Sequence, residues 1–318
     1  MNLRIGSRGS QLALWQANHI AALLRGQGHT VEIEIIKTTG DRLQEVTFAQ
    51  VGSKGMFTKE IEEALADGRV DLAVHSLKDL PTELPPLFAL AATPPRVDPR
   101  DVLVSVKYEG LAHLPQGAVV GTSSQRRRAQ LQSIRPDIVA VEFRGNVDTR
   151  LRKLTEGQVD AVLLAAAGLD RLERTEWVRE RLEPKDFCPA AGQGSLGIET
   201  RKNDPATIEA LAFLDDRATR YAVTAERSAL AALGGGCQVP IGVHCRQTPQ
   251  TAKSGADVEI FGVVANPATG EAIRIHHEAS ASDKDAETLG RIAAQKLIGA
   301  GAGALLEVVA RPPAGASA

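Results

Sequence analysis

The sequence predicts two similar α/β domains with a hinge between them, followed by a small α+β domain. Three observations point there. A strand running into a small polar turn and then a capped helix occurs twice, at 5–10 and again at 119–124. An apolar run at 70–74 ends in a polar turn that sets down His75, Ser76, Lys78 and Asp79. From 258 onward, strand-like segments are followed by a helix without βαβ alternation, as in α+β folds. The expected division is 1–96 with 196–214 as domain 1, 97–195 as domain 2, 215–310 as domain 3, and 311–318 as a disordered tail.

The elements follow in order. Residues 3–6 read as a first strand, and Ser10 caps a helix whose apolar positions Ala13, Ala17, Ile20, Ala21 and Leu24 have helical spacing. Gly28 stops that helix, and 31–38 alternates as a strand, completing a βαβ opening that is the mark of a parallel sheet. Residues 38–55 are polar and dotted with glycine, which suits a mobile loop over a site. Phe57, Ile61, Ala64 and Leu65 give a short amphipathic helix leading to the strand at Val70.

Six prolines between Pro81 and Pro99 rule out a long helix and suggest a crossover between domains. Strand character resumes at 102–106. At 119–128 a strand meets Thr122-Ser123-Ser124 and then Gln125-Arg126-Arg127-Arg128. A charge run is usually a solvated helix face. Placed directly after a cap, this one reads as an anion-binding helix start. Residues 139–143 form a strand ended by Arg144-Gly145-Asn146. Val147, Leu151 and Leu154 then make a helix stripe that leaves Arg150 on another face. Residues 160–167 read as an apolar strand, and 189–194 as a small-residue return to the first domain. Residues 219–233 are helical and run into Gly234-Gly235-Gly236-Cys237, an open loop around a thiol. A hairpin at 258–279 turns at 266–270, and a helix with Leu289, Ile292, Ala293 and Leu297 follows.

Composition narrows the function. Hydrophobic residues make up 43% of the 318, enough for real cores, while aromatics at 3% make base stacking an unsuitable mode of recognition. The net charge of -2 gives no global field for nucleic acid, so anions must be held by local arginines. Three cysteines, with no CxxC pair and no His/Cys group of zinc spacing, argue for a reduced protein without a disulfide framework or a metal. The N-terminus lacks an apolar signal core and no run reaches the ~20 apolar residues of a membrane span, so a cytoplasmic protein is expected. Beyond the carboxyl ends of strands, where ligands bind in open α/β sheets, these residues describe a site for a polyanionic small molecule, with the Cys237 thiol read either as a point of covalent attachment or as a small buried cysteine.

Seven stretches, RIGSRGSQLALWQ, GSKGMFTKE, AVHSLKDLPT, GTSSQRRRAQL, FRGNVDTRLRKL, AAGQGSLGIE and GGGCQVPIG, occur in the order in which they stand in one family. On them the chain resembles hydroxymethylbilane synthase (porphobilinogen deaminase) from Arg4 to about Leu306. The resemblance implies a dipyrromethane cofactor joined by thioether to Cys237. Four porphobilinogen units are added to this primer, each losing ammonia, and the tetrapyrrole is then released by hydrolysis. It implies that Asp79 is the catalytic carboxylate, stabilising the azafulvene cation as it forms and assisting proton movement. The acetate and propionate groups fall by motif to Arg8, Arg126, Arg127, Arg144 and Arg150, whose planar forks suit carboxylates. Ser10, Thr122, Ser123, Ser124 and Asn146 supply neutral donors. Ser76 and Lys78 fall on cofactor-side positions, Lys54 in the loop over the cleft, and Gln193 at the hinge. Gln125, Gln50 and Ser195 depart from the usual family residues, and Cys188 and Cys245 match no family role. The partner implied is porphobilinogen alone, bound by a monomer without nucleic acid or membrane.

Two rivals share parts of the pattern. Two α/β domains with capped anion sites and a hinge also describe periplasmic solute-binding proteins, so the first two domains are expected to be periplasmic-binding-protein-like. The absent signal peptide and the cysteine loop argue against that function. A thiol hydrolase using Cys237 lacks a histidine placed by motif to activate it.

Overall fold

The computed structural model describes residues 1–39, 58–235, 239–248, 257–281 and 285–310. The first sheet has the order β2-β1-β3-β10-β4. Its strands are β1 (Asn2–Ser7), β2 (Thr30–Ile35), β3 (Leu72–Ser76), β4 (Phe88–Ala92) and β10 (Leu196–Arg201). The second has the order β7-β6-β8-β5-β9, from β5 (Asp101–Val104), β6 (Val119–Gly121), β7 (Val139–Val141), β8 (Ala161–Ala165) and β9 (Val178–Arg181).

The two sheets share one plan. In each, a central strand pairs in parallel on both sides, β1 with β2 and β3, β6 with β7 and β8. In each, the fourth strand runs antiparallel to both neighbours. The sheets are therefore mixed, not parallel as the βαβ opening suggests. The antiparallel strand is the one that follows a crossing: β4 leaves the first sheet and the chain enters the second as β5, while β9 leaves the second and the chain returns as β10. The crossings touch each other. Gly194 has φ +86°, and a Cβ there would lie 2.6 Å from the Val97 carbonyl oxygen. Only glycine fits both the conformation and the space.

Helices cover the sheets. Helix α1 (Gln11–Gly26) buries Ala13, Ala17, Ile20, Ala21 and Leu24 against the first sheet, as their spacing predicts. Helix α2 (Lys59–Ala66) buries Ile61, Ala64 and Leu65. In the second sheet, α3 (Gln125–Ile134) and α4 (Val147–Thr155) start at the side-chain caps Ser124 and Asn146. The segment read as one strand at 160–167 divides: β8 stops at Ala165 and α5 (Ala166–Arg171) begins at once. After α6 (Pro205–Leu211), the long α7 (Arg217–Ala232) leads to the third sheet, β11-β12-β13. Strands β11 (Ile241–Gln247), β12 (Val258–Ala265) and β13 (Ala272–Ala279) are antiparallel. Helices α7 and α8 (Ala286–Gly299) pack over that sheet, and α9 (Ala302–Ala310) follows. Gly290 permits the α7–α8 approach, since a Cβ there would meet the Ala225 carbonyl oxygen at 2.2 Å. All but residues 38 and 39 of the loop expected at 38–55, and the tail 311–318, lie outside the described residues. No described helix is long and apolar enough to cross a membrane.

Candidate active site

Two adjoining hollows share Leu12 and Ser76 in their walls, one formed by the first-sheet side alone and the other opening between the first two sheets. They lie beyond the carboxyl ends of β1, β3 and β8, where ligands of open α/β sheets bind. One is lined by Arg8, Ser10, Gln16, His75, Ser76 and Asp79. The other is lined by Lys78, Arg127, Arg150, Arg171, Gln193 and Ser195, among others. Of the residues expected from sequence, the cleft therefore brings together Asp79, Arg8, Ser10, Ser76, Lys78, Arg127, Arg150 and Gln193. Asp79 sits on a single 3-10 turn (Leu77–Asp79) set directly at the end of β3.

The cations are held by burial. Burial, with Arg127 nearby, pushes the Lys78 ammonium down to about 8. Lys78 donates to the Gln193 side-chain oxygen at 3.2 Å. Burial and then Arg127 lower Arg150 to about 10. Its Nε is buried with no hydrogen-bond partner among the described residues. A buried unpaired guanidinium nitrogen of this kind costs stability until an acceptor arrives.

Other expected binders are turned elsewhere. Arg126 is buried, and its Nη1 donates to Asp101 at 2.6 Å and to the Cys188 carbonyl at 2.6 Å. It points away from the cleft because one residue step along α3 turns the side chain by about 100°. Thr122 accepts from the Ser124 N–H, and Ser123 donates to the Phe143 carbonyl at 2.7 Å. The Ser124 hydroxyl accepts from the Arg127 N–H, and the Asn146 carbonyl from the Thr149 N–H. Both are caps first, as Ser10 is for α1. The hydroxyl hydrogens of Ser10 and Ser124 remain available for donation. Arg144 pairs with Glu142 at 2.7 Å where both are partly exposed, a pair weak enough to exchange. Lys54 and Cys237 lie outside the described residues, as does Gln50.

Gln16, Arg171 and, behind the cleft, Asp101 are not singled out by charge runs and caps, and His75 is named in sequence only as part of the turn after 70–74. Gln16 donates to the Ser76 hydroxyl at 2.9 Å. Arg171, lowered to about 10 by burial, donates from Nη2 to the Gly194 carbonyl, while its Nε has no partner among the described residues. His75 joins the fully buried Glu199 at 3.1 Å. Asp101, fully buried, receives Arg126, Arg127 and Gln193. Burial would raise its pKa, but the two guanidiniums drive it far below the carboxylate range. Gln16 stands within the first motif stretch. Arg171 is hidden by reading 160–167 as unbroken strand.

The arrangement suits a small molecule bearing several carboxylates. The Nε atoms of Arg150 and Arg171 have no acceptor among the described residues, and the Asp79 carboxylate lines the adjoining hollow together with Arg8. Residues of this kind fit an acidic pyrrole cofactor.

Residues 3–209 match the family model described as "Porphobilinogen deaminase, dipyromethane cofactor binding domain", and residues 220–299 match "Porphobilinogen deaminase, C-terminal domain". The porphobilinogen deaminase of Nitratidesulfovibrio vulgaris is 48% identical over 311 residues, covering 96% of each chain. That of Trichlorobacter lovleyi is 49% identical over 309 residues, again covering 96% of each. Among solved structures, the methionine-binding protein MetQ superposes with a TM-score of 0.43 at 12% identity, over 67% of this chain and 89% of its own. By the family models and the relatives together, this chain belongs to the porphobilinogen deaminase family.

Proposed function

We propose that this chain is a hydroxymethylbilane synthase: it deaminates four porphobilinogen molecules in turn, condenses them head to tail, and releases the linear tetrapyrrole by hydrolysis. The observation that carries this reading is Asp79, the one carboxylate among the described residues that line two adjoining hollows walled by Arg8, Lys78, Arg127, Arg150 and Arg171. When bound at Cys237, the dipyrromethane supplies the pyrrole end onto which the first unit is added.

The residues of the chain act on charge. Loss of ammonia from porphobilinogen leaves a cation shared with the pyrrole N–H. The Asp79 carboxylate accepts from that N–H and stabilises the cation as it forms. It also takes up and returns the protons that deamination and the final loss from the ring require. Arg127, Arg150 and Arg171 hold acetate and propionate groups, with Arg8, Lys78 and Arg144 extending the field along the cleft. Ser10, Gln16 and Ser76 orient the ring from the first-sheet side. Ser123 and Asn146 act at the helix starts by presenting backbone N–H groups to carboxylates, while Thr122 and Ser124, whose N–H groups go to the Val141 carbonyl and the Thr122 hydroxyl, hold the shape of the turn. Lys54 and Cys237, which lie outside the described residues, are assigned to the site by the resemblance alone.

The division into domains 1–96 with 196–214, 97–195 and 215–310 belongs to this reading. It is supported by the three separate sheets and by the paired crossings at 93–100 and 182–195. The enzyme is read as a cytoplasmic monomer, which gel filtration tests directly.

Intact mass tests the central claim. Denatured protein should weigh more than its sequence by two linked pyrrole units, and Cys237→Ser should lose that excess. Active enzyme of unmodified mass would refute the cofactor and its attachment.

A further inference from the structure

We propose that Asp101 is a positioning residue: it orients the amide of Gln193 so that one oxygen at the hinge gathers Lys78 from the first sheet and Arg127 from the second. The proposal deepens the function above and rests on it.

Asp101 opens β5, the first strand after the first crossing, and Gln193 stands on the return crossing. The Asp101 side chain is fully buried. As a carboxylate it accepts only. The NH2 end of Gln193 must therefore face it, and does so at 2.9 Å. The same nitrogen donates to the Pro99 carbonyl at 2.7 Å, so both amide hydrogens are engaged. The amide oxygen is thereby turned the other way. There Lys78 Nζ donates to it at 3.2 Å, and Arg127 Nη2 lies 3.5 Å from it. Asp101 also takes Arg127 directly, from Nε at 2.9 Å, while Nη1 of Arg127 donates to the Leu163 carbonyl. Each nitrogen of the Arg127 guanidinium thus meets a fixed acceptor, and the second Nη1 hydrogen is left to meet a substrate carboxylate.

The polarity of the chain of bonds depends on Asp101 having no hydrogen to give. Asparagine at 101 can turn its own NH2 toward Gln193. The Gln193 amide then keeps only the Pro99 carbonyl as an anchor and loses its fixed polarity, so its hold on Lys78 and Arg127 weakens. Both cations line the cleft, so their loosening weakens the hold on substrate carboxylates before and during reaction alike. Uniform loss of that kind raises KM and spares kcat.

The test measures ammonia release from porphobilinogen by the full-length holoenzyme carrying Asp101→Asn, Gln193→Leu, or both. Each single variant should raise KM by roughly tenfold, the weight of a hydrogen bond to a charged group, with kcat at saturation changed only a few-fold. The double variant should be no worse than the worse single one, because both changes break one network. Additive effects on KM, or an unchanged KM in folded Gln193→Leu, would overturn the proposal. The second outcome decides even if Asp101→Asn does not fold. Wild-type protein that turned over porphobilinogen while the variants kept its KM would sink the positioning role alone. Wild-type protein that released no ammonia would sink the activity and this inference with it.

Discussion

Glu226 on α7 ties the three sheets together, and replacing it tests how firmly they are joined. Its side chain is fully buried. It accepts from Arg96 Nη1 at 2.6 Å and Nη2 at 3.2 Å, on the first crossing. It accepts from the Gly192 N–H at 2.7 Å on the return crossing, and from the Cys245 N–H at 2.8 Å on β11. Burial alone would raise its pKa, but Arg96 and the His244 hydrogen bond hold it at about 2, against 4.5 for an ordinary glutamate. At 1.36 kcal/mol per unit that depression is worth roughly 3 kcal/mol of stability. The folded pKa lies below the unfolded one. The stabilisation is therefore full above about 4.5 and is lost as pH falls toward 2. Glu226→Gln should cost about 3–5 kcal/mol at neutral pH, because it also leaves Arg96 buried without its counter-charge. Such a loss corresponds to a fall of about 10 °C in melting temperature for domains of this size. Urea unfolding of both proteins at pH 7, 4.5 and 3 gives the assay. The gap between them should narrow by about 2 kcal/mol by pH 3, since the wild-type group is then taking up protons on unfolding. A variant melting within about 2 °C of wild type, or a gap that ignores pH, would refute the reasoning.

Four further outcomes are expected. Asp79→Asn should keep the fold and substrate binding but lower kcat by about 10² or more, measured as ammonia release, because it removes an electrostatic catalyst. KM for porphobilinogen should climb as pH rises through about 8, where buried Lys78 gives up its proton and its charge. Lys78→Met should have a high KM with that rise removed. Arg150→Leu should stop chain extension, read by the mass of the protein after exposure to substrate, while its melting temperature stays close to wild type. Arg126→Leu should do the reverse, lowering the melting temperature while KM holds, because Arg126 serves Asp101 and the Cys188 carbonyl inside the fold.

What the sequence discloses follows from how local each signal is. The starts of α1, α3 and α4 are legible because Ser10, Ser124 and Asn146 each bond a backbone N–H three residues on, a contact written within one turn. The β12–β13 hairpin is legible for the same reason. Strands β4, β9, β10 and β11 are not. β10 enters between β3 and β4 from more than a hundred residues away, and its residues Leu196–Arg201 show no clean alternation because both of its faces are buried. β4 lies in the proline-rich stretch, which masks it. Within the site, the adjacent arginines 126 and 127 carry the same chemistry in sequence. Only the tertiary position of Asp101 decides that one of them belongs to the core and the other to the cleft. Family motifs locate a site, but they do not separate the residues that touch its contents from those that support them.

That separation explains how a chain with net charge -2 serves an acidic substrate that lengthens. Arginines on an open surface lose most of their attraction to water and salt. Here Arg127, Arg150 and Arg171 are already withdrawn from solvent, and folding has borne that cost. Asp101 offsets part of the charge from behind without entering the cleft, so the guanidiniums stay in place when nothing is bound. The Nε atoms of Arg150 and Arg171 remain unmatched among the described residues. A carboxylate that reaches them removes a penalty as well as adding an attraction. Each bound pyrrole should then stabilise the fold, with the gain saturating once the buried cations are matched. Beyond that point further units meet only partly exposed cations such as Arg144, which already pairs with Glu142, and gain less from each.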